Sequence, residues 1–207
     1  MFAAVLAVTL LVCAANWWAC WNEDLRLEMI TKPIATVGAI GVALTAGGPA
    51  DATLGAVVAL TLCLLGDIAL LPAVDQFIAG LVAFLCGHLA FIGMFSIVGF
   101  DRWSWSGVAI AFVAIVLGTA AIPIVRHATV KGLGTPVRAY LVVISAMCVF
   151  GWATGNVLIA IGSTAFVLSD TILGFRRFVL QRRWQQPAIM ATYHVALLTL
   201  AASLTLV

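Results

Sequence analysis

Residues 52–71 read ATLGAVVALTLCLLGDIALL, and this stretch decides the fold class. Apart from Asp67 it carries no charge, and it lacks the alternation of polar and apolar residues that a strand of a membrane barrel needs. A helix of this length, rising about 1.5 Å per residue, covers about 30 Å, the thickness of the hydrocarbon core of a bilayer. The stretch therefore predicts a membrane-spanning helix with a single carboxyl near one end.

The rest of the chain repeats this pattern. Of its 207 residues, 64% are hydrophobic and only 9% are charged, too few to cover the surface of a water-soluble domain. The apolar blocks lie at about 2–21, 33–48, 52–71, 77–97, 105–125, 136–152, 156–175 and 187–206. We predict an all-α, polytopic transmembrane bundle of about eight helices, forming a single domain over residues 1–207 in the cytoplasmic membrane.

Neither the first span nor the cysteines indicate a feature beyond the helical bundle. The first span lacks a basic stretch at its start and is long for a signal peptide, so we interpret it as a true helix. The cysteines all lie within apolar spans, where Cys acts as a small hydrophobic residue. They are Cys13, Cys20, Cys63, Cys86 and Cys148. Their spacing indicates neither disulfides nor a metal site, and we predict no cofactor and no metal.

Basic residues are distributed unevenly between the connections. Those after spans one, three, five and seven, with their flanks, hold nine: Arg26, Lys32, Arg126, Lys131, Arg138, Arg176, Arg177, Arg182 and Arg183. The connections on the opposite side hold only Arg102. Because basic connections stay in the cytoplasm, both termini are predicted to lie outside. Topology and anionic lipid headgroups account for these residues, so no nucleic-acid partner is predicted.

Ionisable residues inside a membrane are costly and therefore candidates for function. Those in this chain are Asp67, His88, Asp170, Tyr193 and His194, with Lys32 and Tyr140 at the starts of two spans. Most lie within about 10 Å of the predicted cytoplasmic surface. We expect them around one cavity, with His88 as its floor. Alternatively, an aspartate near a helix end simply reaches the interface, a histidine bridges two helices, and a tyrosine belongs to the interfacial belt.

The order of these residues indicates an internal repeat. Pro33 and Pro136 open spans two and six, while the two aspartates lie in similar stretches of spans three and seven; each pair is separated by 103 residues. His88 and His194 occupy spans four and eight. A parallel four-plus-four repeat would place Asp67 and Asp170 opposite each other across a central axis.

Several short motifs in a fixed order resemble those of the YhhN family of membrane proteins. They are Lys32-Pro33, Gly66-Asp67 with Leu70-Leu71, Gly80 with Phe84 and Gly87-His88, Tyr140 with Met147, Leu168-Ser169-Asp170 with Phe178, and Thr192-Tyr193 with Ala196. The resemblance covers nearly the whole chain. The family usually has a second Tyr where this chain has His194 and a Gln where it has Leu197. The aromatic residue usually found three positions after the Gly-His pair is Phe91 here, which lacks a hydroxyl. These departures concern the substrate more than the fold.

Characterised members of that family are lysoplasmalogenases, and the resemblance implies hydrolysis of the vinyl ether bond of lysoplasmalogens to a fatty aldehyde and a glycerophospho-alcohol. Vinyl ethers are hydrolysed by protonation at carbon, which creates an oxocarbenium ion that water captures. Two carboxyls suit this chemistry, one as the acid and one as a carboxylate that stabilises the cation and orients water. We predict Asp67 and Asp170 as the catalytic pair, with the two roles left open.

The remaining candidates bind substrate or orient the pair. They are Lys32, His88, Tyr140, Ser169, Tyr193 and His194. Lys32 could pair with an aspartate or hold the substrate phosphate. The predicted partners are a lysoplasmalogen-like lysolipid and membrane lipids, with the active site towards the cytoplasmic face. The oligomeric state is left open.

Two other functions fit the same residues. Two His and two Asp could bind Zn²⁺ in an intramembrane lipid hydrolase, although nothing in their spacing demands it. A proton-coupled transporter of a small solute or lipid would also use buried Asp and His. The clustering of polar residues near one face, away from the midplane, argues against transport.

Overall fold

The computed structural model describes all 207 residues, and every regular element in it is helical. The α-helices are α1 (Phe2–Asn22), α2 (Leu25–Thr45), α3 (Ala50–Ala69), α4 (Phe77–Val98), α5 (Ser106–Val116), α6 (Ile122–Val130), α7 (Gly134–Ala153), α8 (Val157–Phe178) and α9 (Gln185–Ala202). A π-helical turn, Leu117–Ala121, joins α5 to α6, and short 3-10 turns lie at Trp103–Trp105 and Ser203–Leu206. Counting α5 to α6 as one, eight spans are long and apolar enough to cross a membrane, as predicted.

The outer surface of the bundle is apolar. Large hydrophobic side chains such as Leu11, Ile115 and Val142 are mostly exposed along its length. Lipid tails cover such a surface without cost, and the helices satisfy their own backbone hydrogen bonds. The fold is therefore that of a multi-pass integral membrane protein. The side of the membrane that each terminus faces stays a prediction.

The second span begins earlier than predicted, at Leu25 and not at residue 33. The Asp24 side chain caps α2 by accepting a hydrogen bond of 3.1 Å from the Leu27 backbone N–H. Pro33 lies inside this helix and does not open it. Lys32 is consequently buried about two turns into the span. Hydropathy did not reveal this start because the first turns of α2 contain charged residues.

The two prolines that suggested an internal repeat are not equivalent. Pro136 lies in the first turn of α7, where a missing N–H costs no hydrogen bond, whereas Pro33 interrupts the interior of α2. The four-plus-four repeat is not confirmed.

The fifth span is irregular in the middle. The π-helical turn Leu117–Ala121 comes just before Pro123, which has no N–H to donate to the carbonyl of Thr119. A wider turn is one way to accommodate such a missing bond. The span thus contains a π-helical turn that the other seven lack.

Close helix contacts hold the centre of the bundle. Helices α3 and α4 pack along their length, as do α8 and α9, and α1 and α2. A Cβ atom at Gly66 would lie 2.6 Å from ring carbons of Phe84, and one at Gly162 would lie 2.7 Å from Leu200 Cγ. Small residues at these points allow the close approach that helix association in membranes requires.

Candidate active site

A cavity of about 450 Å³ opens at one end of the bundle. This end carries the connections that follow α1, α3, α6 and α8, and we call it the basic end because Lys131, Arg176 and Arg177 line the mouth of the cavity there. Asp67 and Asp170 both lie on the cavity wall. Its volume is in the range of small-molecule sites. The two predicted catalytic residues therefore share one hollow.

Asp67, near the end of α3, is held by three side chains. Lys32 Nζ lies 3.4 Å from Asp67 Oδ1. The Thr36 hydroxyl donates a hydrogen bond of 2.6 Å to Oδ2, and the Tyr193 hydroxyl donates one of 2.8 Å to the same oxygen. The carboxyl is completely buried. Because Lys32 and Thr36 are four residues apart, one face of α2 presents both of them to the carboxyl.

Asp170, on α8, has a different set of neighbours. The Tyr140 hydroxyl donates a hydrogen bond to Asp170 Oδ2, and His88 Nε2 lies 3.9 Å from that oxygen. The Asp170 side chain is 12% exposed, against 1% for Asp67. No lysine or arginine forms an ion pair with it. Asp170 is thus the carboxyl of the pair that is open to the cavity and lacks a fixed cation.

His88, on α4, lies behind Asp170 and not on the cavity wall. It is completely buried, and neither ring nitrogen has a hydrogen-bond partner. Its ring packs edge-on against Tyr140 at 5.4 Å and against Phe166 at 4.6 Å between centroids. His88 therefore supports the Tyr140–Asp170 pair from behind and, contrary to the prediction from the sequence, does not form the floor of the cavity.

An aromatic bridge connects the two carboxyl networks. Phe166 contacts His88 on one side and Tyr193 on the other, at 5.6 Å between centroids. Tyr193 also packs edge-on against Phe84, at 5.9 Å. These rings fill the space between the Asp67 and Asp170 partners with rigid apolar walls.

Ser169 and His194 have structural contacts outside the carboxyl networks. Ser169 lines the cavity, and its hydroxyl donates to the Ile189 carbonyl at 3.2 Å, joining α8 to α9. His194 does not line the cavity; its Nδ1 accepts a hydrogen bond of 2.9 Å from Trp17 on α1. Successive residues of a helix differ by about 100° in direction, so Tyr193 points to Asp67 and His194 points away.

The mouth of the cavity contains a network that the sequence did not indicate. The Gln186 side-chain amide donates to the buried Glu28 carboxylate, and its oxygen accepts from Arg176. Glu28, Lys32 and Thr36 follow each other at intervals of four residues along α2. Residues at that spacing share one face of a helix. The spacing would have placed these three side chains together if α2 had been predicted to start at Leu25.

The four residues considered for zinc do not converge. No group of three or more His, Cys, Asp or Glu side chains is arranged to hold a metal ion. His88 approaches Asp170, while His194 is bound to Trp17 on another side of the bundle.

Comparison with known proteins gives one match. The sequence profile of the YhhN family matches residues 27–204 of the 207-residue chain. The matched segment includes every residue of both carboxyl networks and leaves α1 outside. No curated protein and no solved structure matches the chain.

Proposed function

The chain belongs to the YhhN family, and on that premise we propose that it is a membrane-embedded hydrolase of the vinyl ether bond of lysoplasmalogen-type lipids. The products are a fatty aldehyde and a glycerophospho-alcohol. One observation carries the proposal, namely two carboxyls on the wall of one cavity, Asp67 almost fully buried and Asp170 12% exposed, each with its own set of partners.

The partners assign a role to each carboxyl. A charge buried in a bilayer needs a counter-charge, and Asp67 has one in Lys32, with two hydroxyl donors besides. Asp67 is the ionised member. Asp170 has no cation beside it and accepts one hydrogen bond from Tyr140, which leaves its other oxygen free to carry a proton. Asp170 is the acid.

These roles give a complete reaction. Asp170 donates its proton to the vinyl carbon farther from the ether oxygen, and the other vinyl carbon becomes an oxocarbenium ion. The Asp67 carboxylate faces this cation and accepts a proton from the attacking water. The resulting hemiacetal collapses to the aldehyde and the alcohol. Exchange with water through the open mouth returns the proton from Asp67 to Asp170.

The lipid headgroup lies towards the basic end. Lys32 is paired with Asp67, and Arg177 is paired with Asp75. Lys131 and Arg176 are therefore the cations at the mouth that remain for the substrate phosphate. Arg176 is positioned by Gln186, which Glu28 holds in turn. A single-chain lipid entering from the bilayer would place its phosphate here and its vinyl ether near the carboxyls.

A substrate panel tests this function directly. Purified protein is incubated with three lysolipids of equal chain length and headgroup, carrying a vinyl ether, a saturated ether or an ester. We expect free aldehyde from the vinyl ether alone, because a saturated ether has no carbon that an acid can protonate productively. Release of fatty acid from the ester, with no aldehyde from the vinyl ether, would contradict the proposal.

Carboxamide variants test the pair. Asp67→Asn and Asp170→Asn should each lose aldehyde release while the proteins still insert and elute as folded particles. Asp51→Asn is the matched control, because Asp51 is exposed in the first turn of the same helix as Asp67. Turnover retained in both site variants would refute the catalytic pair.

A further inference from the structure

A second, apolar slot adjoins the polar cavity. It lies between α4 on one side and the α5–α6 span on the other, with α7 and α8 behind it, and measures about 50 Å³. Fifteen of its nineteen lining residues are hydrophobic. The hydroxyls of Tyr140 and Thr171, which also line it, already donate to Asp170 and to a backbone carbonyl. The slot therefore offers apolar contact, the Ser145 hydroxyl and one carboxyl.

The slot and the cavity meet at Asp170. This residue lines both spaces, as do Leu70, Phe84 and Leu173, whereas Asp67 lines only the polar cavity. Six residues line both spaces, and Asp170 is the only ionisable one among them, so a ligand that extends from one space to the other passes beside its carboxyl. In a vinyl ether lipid, the junction between polar glycerol and apolar chain is the scissile group itself. The carbon that receives the proton lies on the chain side of that group.

From this geometry we infer that the slot holds the hydrocarbon chain of the substrate, an inference that rests on the proposed function. The chain carbons next to the ether lie in the slot, and the glycerophospho part lies in the polar cavity. This placement brings the vinyl carbon to Asp170 and the ether side to Asp67. It agrees with the roles that the ion-pair partners assign to the two carboxyls.

The wall of the slot reaches the outer surface of the bundle at the π-helical turn. Leu117, the first residue of that turn, lines the slot and is also 38% exposed on the lipid-facing surface. Helix α4 packs against α3 and α7 and has no extensive contact with α5. The slot is too small for a whole acyl-length chain. The distal carbons therefore leave between α4 and α5 and lie among the lipid tails.

Photo-crosslinking tests the inference without turnover. The probes are two saturated-ether lysophospholipids, one with a diazirine a few carbons from the ether and one with it at the chain end. The proximal probe should label slot residues such as Val113, Leu141 and Ile144, and the distal probe should label the lipid-facing surface of α4 and α5. Labelling of the lipid-facing surface by both probes would overturn the inference.

A filled slot supplies the second measurement. Val113→Phe adds bulk to a buried wall residue of the slot, and Val108→Phe adds the same bulk on the lipid-facing side of the same helix. The first should lower slot labelling and kcat/KM about tenfold or more, since small changes in an apolar pocket have effects of that size. The second should change neither. Equal effects of the two variants would count against the slot.

The dependence of the rate on the length of the lipid chain gives a third measurement. Because the chain leaves the slot laterally, dodecyl, hexadecyl and icosyl vinyl ether lipids should react at similar rates, and a sharp upper limit would contradict the lateral exit. The tests separate this inference from the function. Slot labelling without aldehyde release would leave the slot standing and refute the hydrolase. Aldehyde release without slot labelling would support the hydrolase and refute the slot as the site of the hydrocarbon chain.

Discussion

The surroundings of the two carboxyls differ more than their sequence contexts do. Asp67 lies on the cavity wall with its side chain almost fully buried, and it is fixed by an ion pair and two hydroxyls from α2 and α9. Asp170 is partly open, with one tyrosine, a nearby histidine and an apolar slot at its side. Two aspartates in similar stretches of two helices thus have different partners, and the proposed difference in their protonation states rests on those partners. The proposed role of each aspartate therefore depends on its neighbouring side chains and not on the carboxyl itself.

The largest expected effect distinguishes the two aspartates chemically. Asp170→Asn removes the proton donor and should lower kcat by about 10³-fold, within the range for general acid catalysis. Asp67→Asn should also be severely impaired but should keep its proton donor. Both rates are followed as aldehyde release. A brief incubation in D₂O checks the acid step, because the aldehyde should gain deuterium at the carbon next to its carbonyl.

The next effect concerns stability. Lys32→Met leaves the Asp67 carboxylate buried without a counter-charge and should destabilise the protein by about 3–5 kcal/mol. The double variant Lys32→Met with Asp67→Asn should recover most of that stability without recovering activity. Thermal unfolding in one detergent measures both. Equal stability of the single and double variants would show that the ion pair is not what holds Asp67.

The two tyrosines offer a matched comparison. Tyr140→Phe removes the one hydrogen bond that Asp170 accepts from a side chain, whereas Tyr193→Phe leaves Asp67 with Lys32 and Thr36. Asp170 becomes charged as it gives up its proton, and a hydrogen bond to a charged group is worth about 1.5–3 kcal/mol, or tenfold to about a hundredfold in rate. We expect Tyr140→Phe to approach the upper value and Tyr193→Phe to stay near the lower one. The reverse order in kcat would exchange the proposed roles.

The smallest effect is expected at His194. Its side chain accepts a hydrogen bond from Trp17 and does not line the cavity. His194→Phe should therefore cost about 1 kcal/mol of stability and leave kcat and KM unchanged. Tyr, the residue usual in the family, should be accepted there as well. A tenfold loss of activity in either variant, with stability intact, would return His194 to the site.

Much of the site could be anticipated because intramembrane ionisable residues are few. Lys32, Tyr140, His88 and Tyr193 were all expected near the carboxyl pair, and the structure places each beside one of the two aspartates. Thr36 escaped notice because a threonine in an apolar helix carries no signal of its own. Glu28 and Gln186 escaped because hydropathy placed them in connections, outside the spans.

The amino-acid pattern alone was enough to predict eight spans and an aspartate near the same end of two of them, because the length and polarity of a helix are local properties. Tertiary packing set the start of α2, the break in the fifth span, the hydroxyl that meets each aspartate and the contact of His194 with α1. The physical reason is the solvent. Lipid tails are as apolar as a protein core, so hydrophobic periodicity does not reveal which face of a helix points inward. The rotation of each helix, and with it every partner in the site, depends on packing against neighbours distant in the chain.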